Sequence, residues 1–158
     1  MVSKKIKRIL CSVAICLVVG FIGAIATQSS VKSWYPTLAK PFFNPPNWLF
    51  APVWTTLYIL MGIAAGMVWD KGFYHKWVKT ALYHFGFQLL LNASWSIVFF
   101  GLQLIFPALI VIGTLLILLL FTFKWFKVVN VKAAYLLIPY IFWVFYASLL
   151  NFEIWRLN

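Results

Sequence analysis

Five long apolar runs, parted by short stretches that hold nearly all the charge, restrict this chain to one kind of solvent. The runs cover about residues 9–27, 46–69, 77–101, 107–123 and 134–155. A helix of about 20 apolar residues spans the hydrocarbon core of a bilayer and satisfies its own backbone polar groups. Of the 158 residues, 65% are hydrophobic and 9% charged, with a mean hydropathy of +0.97. A soluble domain of this length needs a more polar surface. The expected fold class is all-α, an integral membrane five-transmembrane-helix bundle. Residues 1–158 form a single transmembrane domain, with one long connection at 29–45.

The first run follows Lys4, Lys5, Lys7 and Arg8 and ends near Ala24-Ile25-Ala26, a pattern that signal peptides also show. Its apolar stretch is long for a signal core, so it is read as a retained helix. The connection holds Trp34, Tyr35, Pro36, Lys40, Pro41 and Pro45. Its prolines forbid a regular helix, while its aromatic and apolar residues are not those of a linker. An ordered loop is expected, with Asn44 capping the second helix and Pro45 in its first turn.

Net charge is +11, from 13 Lys and Arg against Asp70 and Glu153. The basic residues flank apolar runs, which marks them as topology signals rather than a nucleic-acid surface, and no nucleic-acid partner is expected. Ten of them (Lys4, Lys5, Lys7, Arg8, Lys71, Lys76, Lys79, Lys124, Lys127, Lys132) fall on the N-terminal side of five spans. Only Lys32, Lys40 and Arg156 fall on the other. This predicts a cytoplasmic N-terminus, with the loop and the C-terminus outside, in a bacterial inner membrane.

Ordinary catalysis has few residues to work with. Cys11 and Cys16 lie about 140° apart on one helix and cannot bridge each other there. His75 and His84 stand alone, and no metal-ligand cluster, nucleophile motif or phosphate loop exists. Asp70 and Glu153 sit at helix ends, which disfavours ion-coupled pumping. The informative residues are polar and aromatic positions within spans. Gln88, Asn92, Trp95 and Phe99 share one face of the third, Tyr140, Trp143, Ala147 and Asn151 one face of the fifth, and Trp54 and Tyr58 one face of the second. Amides avoid lipid because desolvation is costly, so these faces should converge. An aromatic cavity with a few amide and phenol groups suits a large, flat, mostly apolar ligand. Against this stands a blander use: amides can simply join helices, and Trp48, Trp69, Trp77, Trp125 and Trp155 fit an interfacial belt. The pairs Gly20/Ala24 and Gly62/Gly66 can serve packing within the bundle or between subunits.

Three ordered sets of motifs resemble one family over nearly the whole chain. Trp34-Tyr35-Pro36-Thr37-Leu38-Ala39-Lys40-Pro41, Pro45-Pro46-Asn47-Trp48 and Val53-Trp54-Thr55-Thr56-Leu57-Tyr58 are similar to the first loop and second helix of the tryptophan-rich sensory protein/translocator protein family, which includes the peripheral-type benzodiazepine receptor. Gln88-Leu89-Leu90-Leu91-Asn92-Ala93-Ser94-Trp95-Ser96 resembles its third helix. Leu137-Ile138-Pro139-Tyr140-Ile141-Phe142-Trp143, with Asn151 and Trp155-Arg156-Leu157-Asn158, resembles its fifth. The resemblance implies a homodimer among membrane lipids and a loop-capped cavity binding protoporphyrin IX or a related tetrapyrrole, and isoquinoline carboxamide or benzodiazepine-type compounds. No cofactor is required. Tyr35, Pro45, Trp54, Asn92, Trp95, Trp143, Ala147 and Leu150 match the family's pocket positions. Family-level proposals include tetrapyrrole or lipid transport, stress sensing, sequestration, and light-dependent porphyrin breakdown by cavity tryptophans such as Trp54 and Trp143.

From these readings the ligand-binding set is Tyr35, Pro45, Trp54, Tyr58, Gln88, Asn92, Trp95, Phe99, Tyr140, Trp143, Ala147, Leu150 and Asn151. The ring is expected to stack on Trp54 and Trp143 and to accept a hydrogen bond from Asn92. In place of the Leu/Val…Tyr…Arg pattern by which animal members bind cholesterol stands Leu150-Asn151-Phe152-Glu153-Ile154-Trp155-Arg156, without a tyrosine. Weak cholesterol binding is expected.

Overall fold

A computed structural model describes all of residues 1–158. Six α-helices follow one another: α1 Lys4–Ser33, α2 Phe50–Trp69, α3 Lys76–Ser96, α4 Ile105–Val129, α5 Val131–Leu136 and α6 Ile138–Leu157. The last two are segments of one rod, so the molecule is a bundle of five rods. Four stretches are long and apolar enough to cross a membrane: α1, Asn47–Trp69, α4 and Val131–Leu157. α3 is of similar length but carries lysines and amides that lower its hydropathy.

Several ends differ from expectation, each for a local reason. α1 runs six residues past Thr27, so the loop begins at Trp34 and not at 29. Its polar last turns stay helical because Thr27 and Ser33 donate to the carbonyls of Gly23 and Ser29, and Ser30 donates across to Phe100. Asn44 does not cap α2. Its side chain accepts from the Tyr35 hydroxyl at 2.6 Å and donates to the Pro45 carbonyl. Pro46 keeps an extended backbone, and a single 3₁₀ turn, Asn47–Leu49, leads into the helix.

α3 ends in a π turn, Ile97–Gly101, which inserts an extra residue and brings both Phe99 and Phe100 inward. α4 extends past Phe123 to Val129, with Lys127 in its last turn, where a cation suits the helix C-terminus. The fifth rod starts at Val131, where Asn130 caps α5 by accepting from the backbone of Lys132 and Ala133. It breaks at Leu137 because Pro139 has no N–H to continue the ladder.

α1 packs chiefly on α2, α3 on α4, and α4 on α6. The α1–α2 seam depends on small residues. A Cβ on Gly62 or Gly66 would lie 2.4 Å from the Cα of Val13 or Ile9 respectively, so the two backbones touch there. The Gly62/Gly66 stripe is therefore used inside the chain. Arg8 ties the seam's end to Asp70 at 3.4 Å and lies over Trp69. Gly20 faces the Tyr58 ring, and beyond that point α1 and α2 part.

Candidate functional site

Where the second, third and fifth rods meet beneath the loop, their aromatic side chains meet as well. The Trp54 ring lies 6.2 Å from Trp95, 6.3 Å from Trp143 and 5.8 Å from Tyr58, centroid to centroid. Trp95 stacks on Phe99, and Tyr35 enters from the loop against Phe50, Phe99 and Phe100. Apart from Tyr58, these side chains line a chamber of only about 20 Å³ together with Tyr146, Ala147, Leu150, Asn151 and Ile154. That is room for a water molecule. The indole Nε1 of Trp143 is buried there without a hydrogen-bond partner, while that of Trp95 donates to Asn151, which in turn donates to the Ile105 carbonyl.

Below the chamber, α2, α3 and α6 are joined by a chain of buried polar groups. The Tyr58 hydroxyl donates to Asn92 Oδ1 at 2.6 Å, Asn92 Nδ2 donates to the Tyr140 hydroxyl at 2.6 Å, and that hydroxyl donates to Gln88 Oε1 at 2.8 Å. Gln88 Nε2 lies 3.9 Å from the Met61 sulfur. The Asn92 amide thus commits its Oδ1 and one of its two N–H groups to other helices, which leaves a single N–H for the expected hydrogen bond to a ligand. Tyr58, Gln88, Asn92 and Tyr140 join helices rather than line the chamber. Trp54 and Trp143, on which a ligand ring is expected to stack, stand edge to face at 88°.

A much larger space opens on the other side of the same aromatic layer. The parting of α1 and α2 leaves a cleft of about 610 Å³, within the roughly 300–1,000 Å³ of small-molecule sites. Its floor is Phe50, Trp54, Trp95 and Phe100, each of which also lines the chamber. Its α1 wall includes Leu17, Gly20, Phe21, Ala24 and Ile25, and its loop end carries Gln28, Lys32 and Asn47.

The loop is fastened over the chamber from three directions. Tyr35 is fully buried and donates to Asn44, and burial pushes its phenol above the ordinary tyrosine range, so it remains a donor. Lys40 donates to the carbonyls of Tyr35 and Leu38 at 3.0 Å each. The Tyr146 hydroxyl donates to the Phe43 carbonyl. Pro45 is buried inside the loop without lining the chamber.

This order of elements and aromatic positions has counterparts. The residue pattern of the TspO/MBR family matches residues 12–156. The chain belongs to the TspO/MBR family. It is 42% identical over 156 residues to the tryptophan-rich protein TspO of Chlorobaculum tepidum, covering 99% of each chain. It is 37% identical over 139 residues to the tryptophan-rich sensory protein of Cereibacter sphaeroides, covering 86% of this chain and 85% of that one. It is 36% identical over 148 residues to the translocator protein of Bos taurus, covering 88% and 83% respectively. Like its family, this is a membrane protein.

Within this TspO/MBR chain, Tyr35, Trp54, Trp95, Phe99, Trp143, Ala147, Leu150 and Asn151 of the expected set line the chamber. Phe50, Phe100, Tyr146 and Ile154 line it too and were not expected. Phe100 needed knowledge of the π turn, and Phe50 sits in the first turn of a helix whose start was placed too early. The α1 wall of the cleft was missed entirely, since its aliphatic side chains carry no signal beyond that of a lipid-facing helix.

Proposed function

We propose that this TspO/MBR member is a receptor-like membrane protein that binds porphyrin-type tetrapyrroles, for sequestration or stress signalling. The observation that carries this reading is the continuous aromatic floor of the 610 Å³ cleft, Phe50–Trp54–Trp95–Phe100, opening between two apolar helices. A flat macrocycle arriving through the bilayer meets ring faces there, and each aromatic pair adds about 0.5–1.5 kcal/mol beyond the area it buries. In this reading all five rods cross the membrane. The amides of α3 that lower its hydropathy are turned inward, so lipid meets Leu90, Phe87 and Tyr83 instead. The N-terminus is cytoplasmic and the loop faces outward.

The test is a titration with protoporphyrin IX in the dark, read by tryptophan quenching, beside the Trp54→Ala, Trp143→Ala double variant. Saturable binding weakened roughly twofold to twentyfold in the variant, nearly all of it from Trp54, supports the reading. Linear quenching that ignores the substitutions means partition into detergent and sinks it.

A further inference from the structure

The loop end of the cleft has a chemistry that an aromatic floor alone does not require. Lys32 is the only charged residue lining the cleft, and no carboxylate lines it. The chain's two acids are both engaged elsewhere, Asp70 with Arg8 and Glu153 with Arg156. Lys32 takes part in neither ion pair. Gln28, one helical turn before it on α1, and Asn47, across the gap before α2, bring two amide side chains to the same end. Deeper in, the α1 wall turns apolar through Ile25, Phe21 and Leu17. From Lys32 to Leu17 the helix rises about 22 Å, more than the roughly 15 Å of one leaflet's hydrocarbon. The cleft thus grades from a cationic, amide-lined rim to an apolar, aromatic depth.

We propose that this cleft selects tetrapyrroles bearing a carboxylate at one edge, and that Lys32 is the residue that selects them. The proposal rests on the tetrapyrrole reading above and adds to it an orientation and a substrate class. The macrocycle lies against Trp54 and Phe100 with its acidic edge towards the rim. There the Lys32 ammonium meets the carboxylate, and the Gln28 and Asn47 amides donate to its remaining lone pairs. At the membrane boundary the ion pair is partly desolvated, where a charge-assisted hydrogen bond is stronger than a neutral one. An uncharged ester of the same ring keeps the stacking and loses this contact.

The test uses the full chain in phosphatidylcholine nanodiscs, titrated in the dark with protoporphyrin IX, a dicarboxylic acid, and with its dimethyl ester. The expected result is about tenfold tighter binding of the acid, the scale of one hydrogen bond to a charged group. Lys32→Gln should bring the acid to the level of the ester and leave the ester unchanged. Ala24→Phe, which fills the cleft from an exposed position on its α1 wall, should weaken both. Equal affinity for acid and ester in the unaltered protein overturns the selection while leaving tetrapyrrole binding intact. An equal loss for both ligands in Lys32→Gln does the same. Displacement of the acid by added phosphatidylglycerol, dependent on Lys32, assigns the rim to anionic lipid and overturns the proposal. Absence of saturable binding by either porphyrin overturns the tetrapyrrole reading itself, and the selection with it.

Discussion

Trp54 and Trp95 lie 6.2 Å apart at an interplanar angle of 37°, and together they form part of a single layer between a small chamber and a large cleft. Trp143 touches the chamber but not the cleft. The single variants therefore locate the ligand. With the ring held from the cleft side, Trp54→Ala should weaken protoporphyrin IX binding about two- to tenfold, and Trp143→Ala should change it by less than about twofold. Comparable losses in both, by dark titration, would mean that the chamber opens to admit the ring.

Asn92 joins three helices through two phenols. Asn92→Leu leaves the Tyr58 hydroxyl without its acceptor and removes the donor to Tyr140. Hydrogen bonds between membrane helices average about 0.6 kcal/mol and reach about 1.7. The variant should lose about 1–3 kcal/mol of stability in detergent unfolding. Its porphyrin affinity should stay within about twofold, because Asn92 lines neither the chamber nor the cleft. A selective loss of affinity with unchanged stability would restore Asn92 to the binding set.

The five rods and the convergence of their aromatic faces were legible because a 3.6-residue period and an apolar length are properties of the sequence itself. The ends were not. Thr27, Ser30 and Ser33 look like loop residues until their hydroxyls find carbonyls in their own helix and in the next. The π turn at Ile97–Gly101 has no pattern that separates it from ordinary helix, yet it decides that Phe100 joins Phe99 inside. Asn92 was legible as inward-facing but not as bonded to two phenols, since its partners lie 34 and 48 residues away. Lys32 was legible only as a topology charge. Its place at the rim of a cleft depends on where α1 and α2 part, and that is set by tertiary packing.

That parting point is fixed by close packing further down. At Gly62 a Cβ would lie 2.4 Å from the Val13 Cα and 2.7 Å from its nitrogen, both backbone atoms that cannot rotate away. Gly62→Ala should push α1 off α2 and lose about 1–3 kcal/mol, the range for overpacked sites. Gly113→Ala, where a Cβ meets nothing within 4 Å, is the matched control and should be neutral or slightly stabilising. Thermal unfolding of the two variants side by side decides the matter, and equal melting points would contradict the seam.

The stretch Leu150–Arg156 should bind sterol poorly. Arg156 is held by Glu153 at 2.6 Å on its own helix, and Leu150, Asn151 and Ile154 face inward. The exposed remainder, Phe152 and Trp155, offers no hydroxyl partner for a sterol head group. Cholesterol affinity in nanodiscs should not exceed that of an unrelated helical bundle. A clear excess, abolished by Arg156→Leu, would overturn this.

Asn158 reaches the loop from beyond the end of α6. Its Oδ1 accepts from the Ala39 N–H at 3.0 Å, its Nδ2 donates to the Ala39 carbonyl at 2.9 Å, and a second bond to the Ile154 carbonyl fixes its own position. Both backbone polar groups of Ala39 are thus matched by one side chain, while Tyr35 and Lys40 fasten the loop on either side. All these groups at Ala39 are exposed, so the net value of each bond is at the low end of the usual 0.5–1.5 kcal/mol. Asn158→Ala should therefore change global stability by less than about 1 kcal/mol. Its effect should be local, since the other hydrogen bond from α6 to the loop, Tyr146 to the Phe43 carbonyl, lies four residues further on and stays in place. Hydrogen exchange at Ala39 should accelerate by about fivefold to tenfold, the factor set by roughly 1 kcal/mol of local opening. Exchange in α2 and α6 should stay as it was. Unchanged exchange at Ala39 would show that Tyr35, Lys40 and Tyr146 hold the loop without Asn158, and acceleration throughout the bundle would show that Asn158 supports the whole fold.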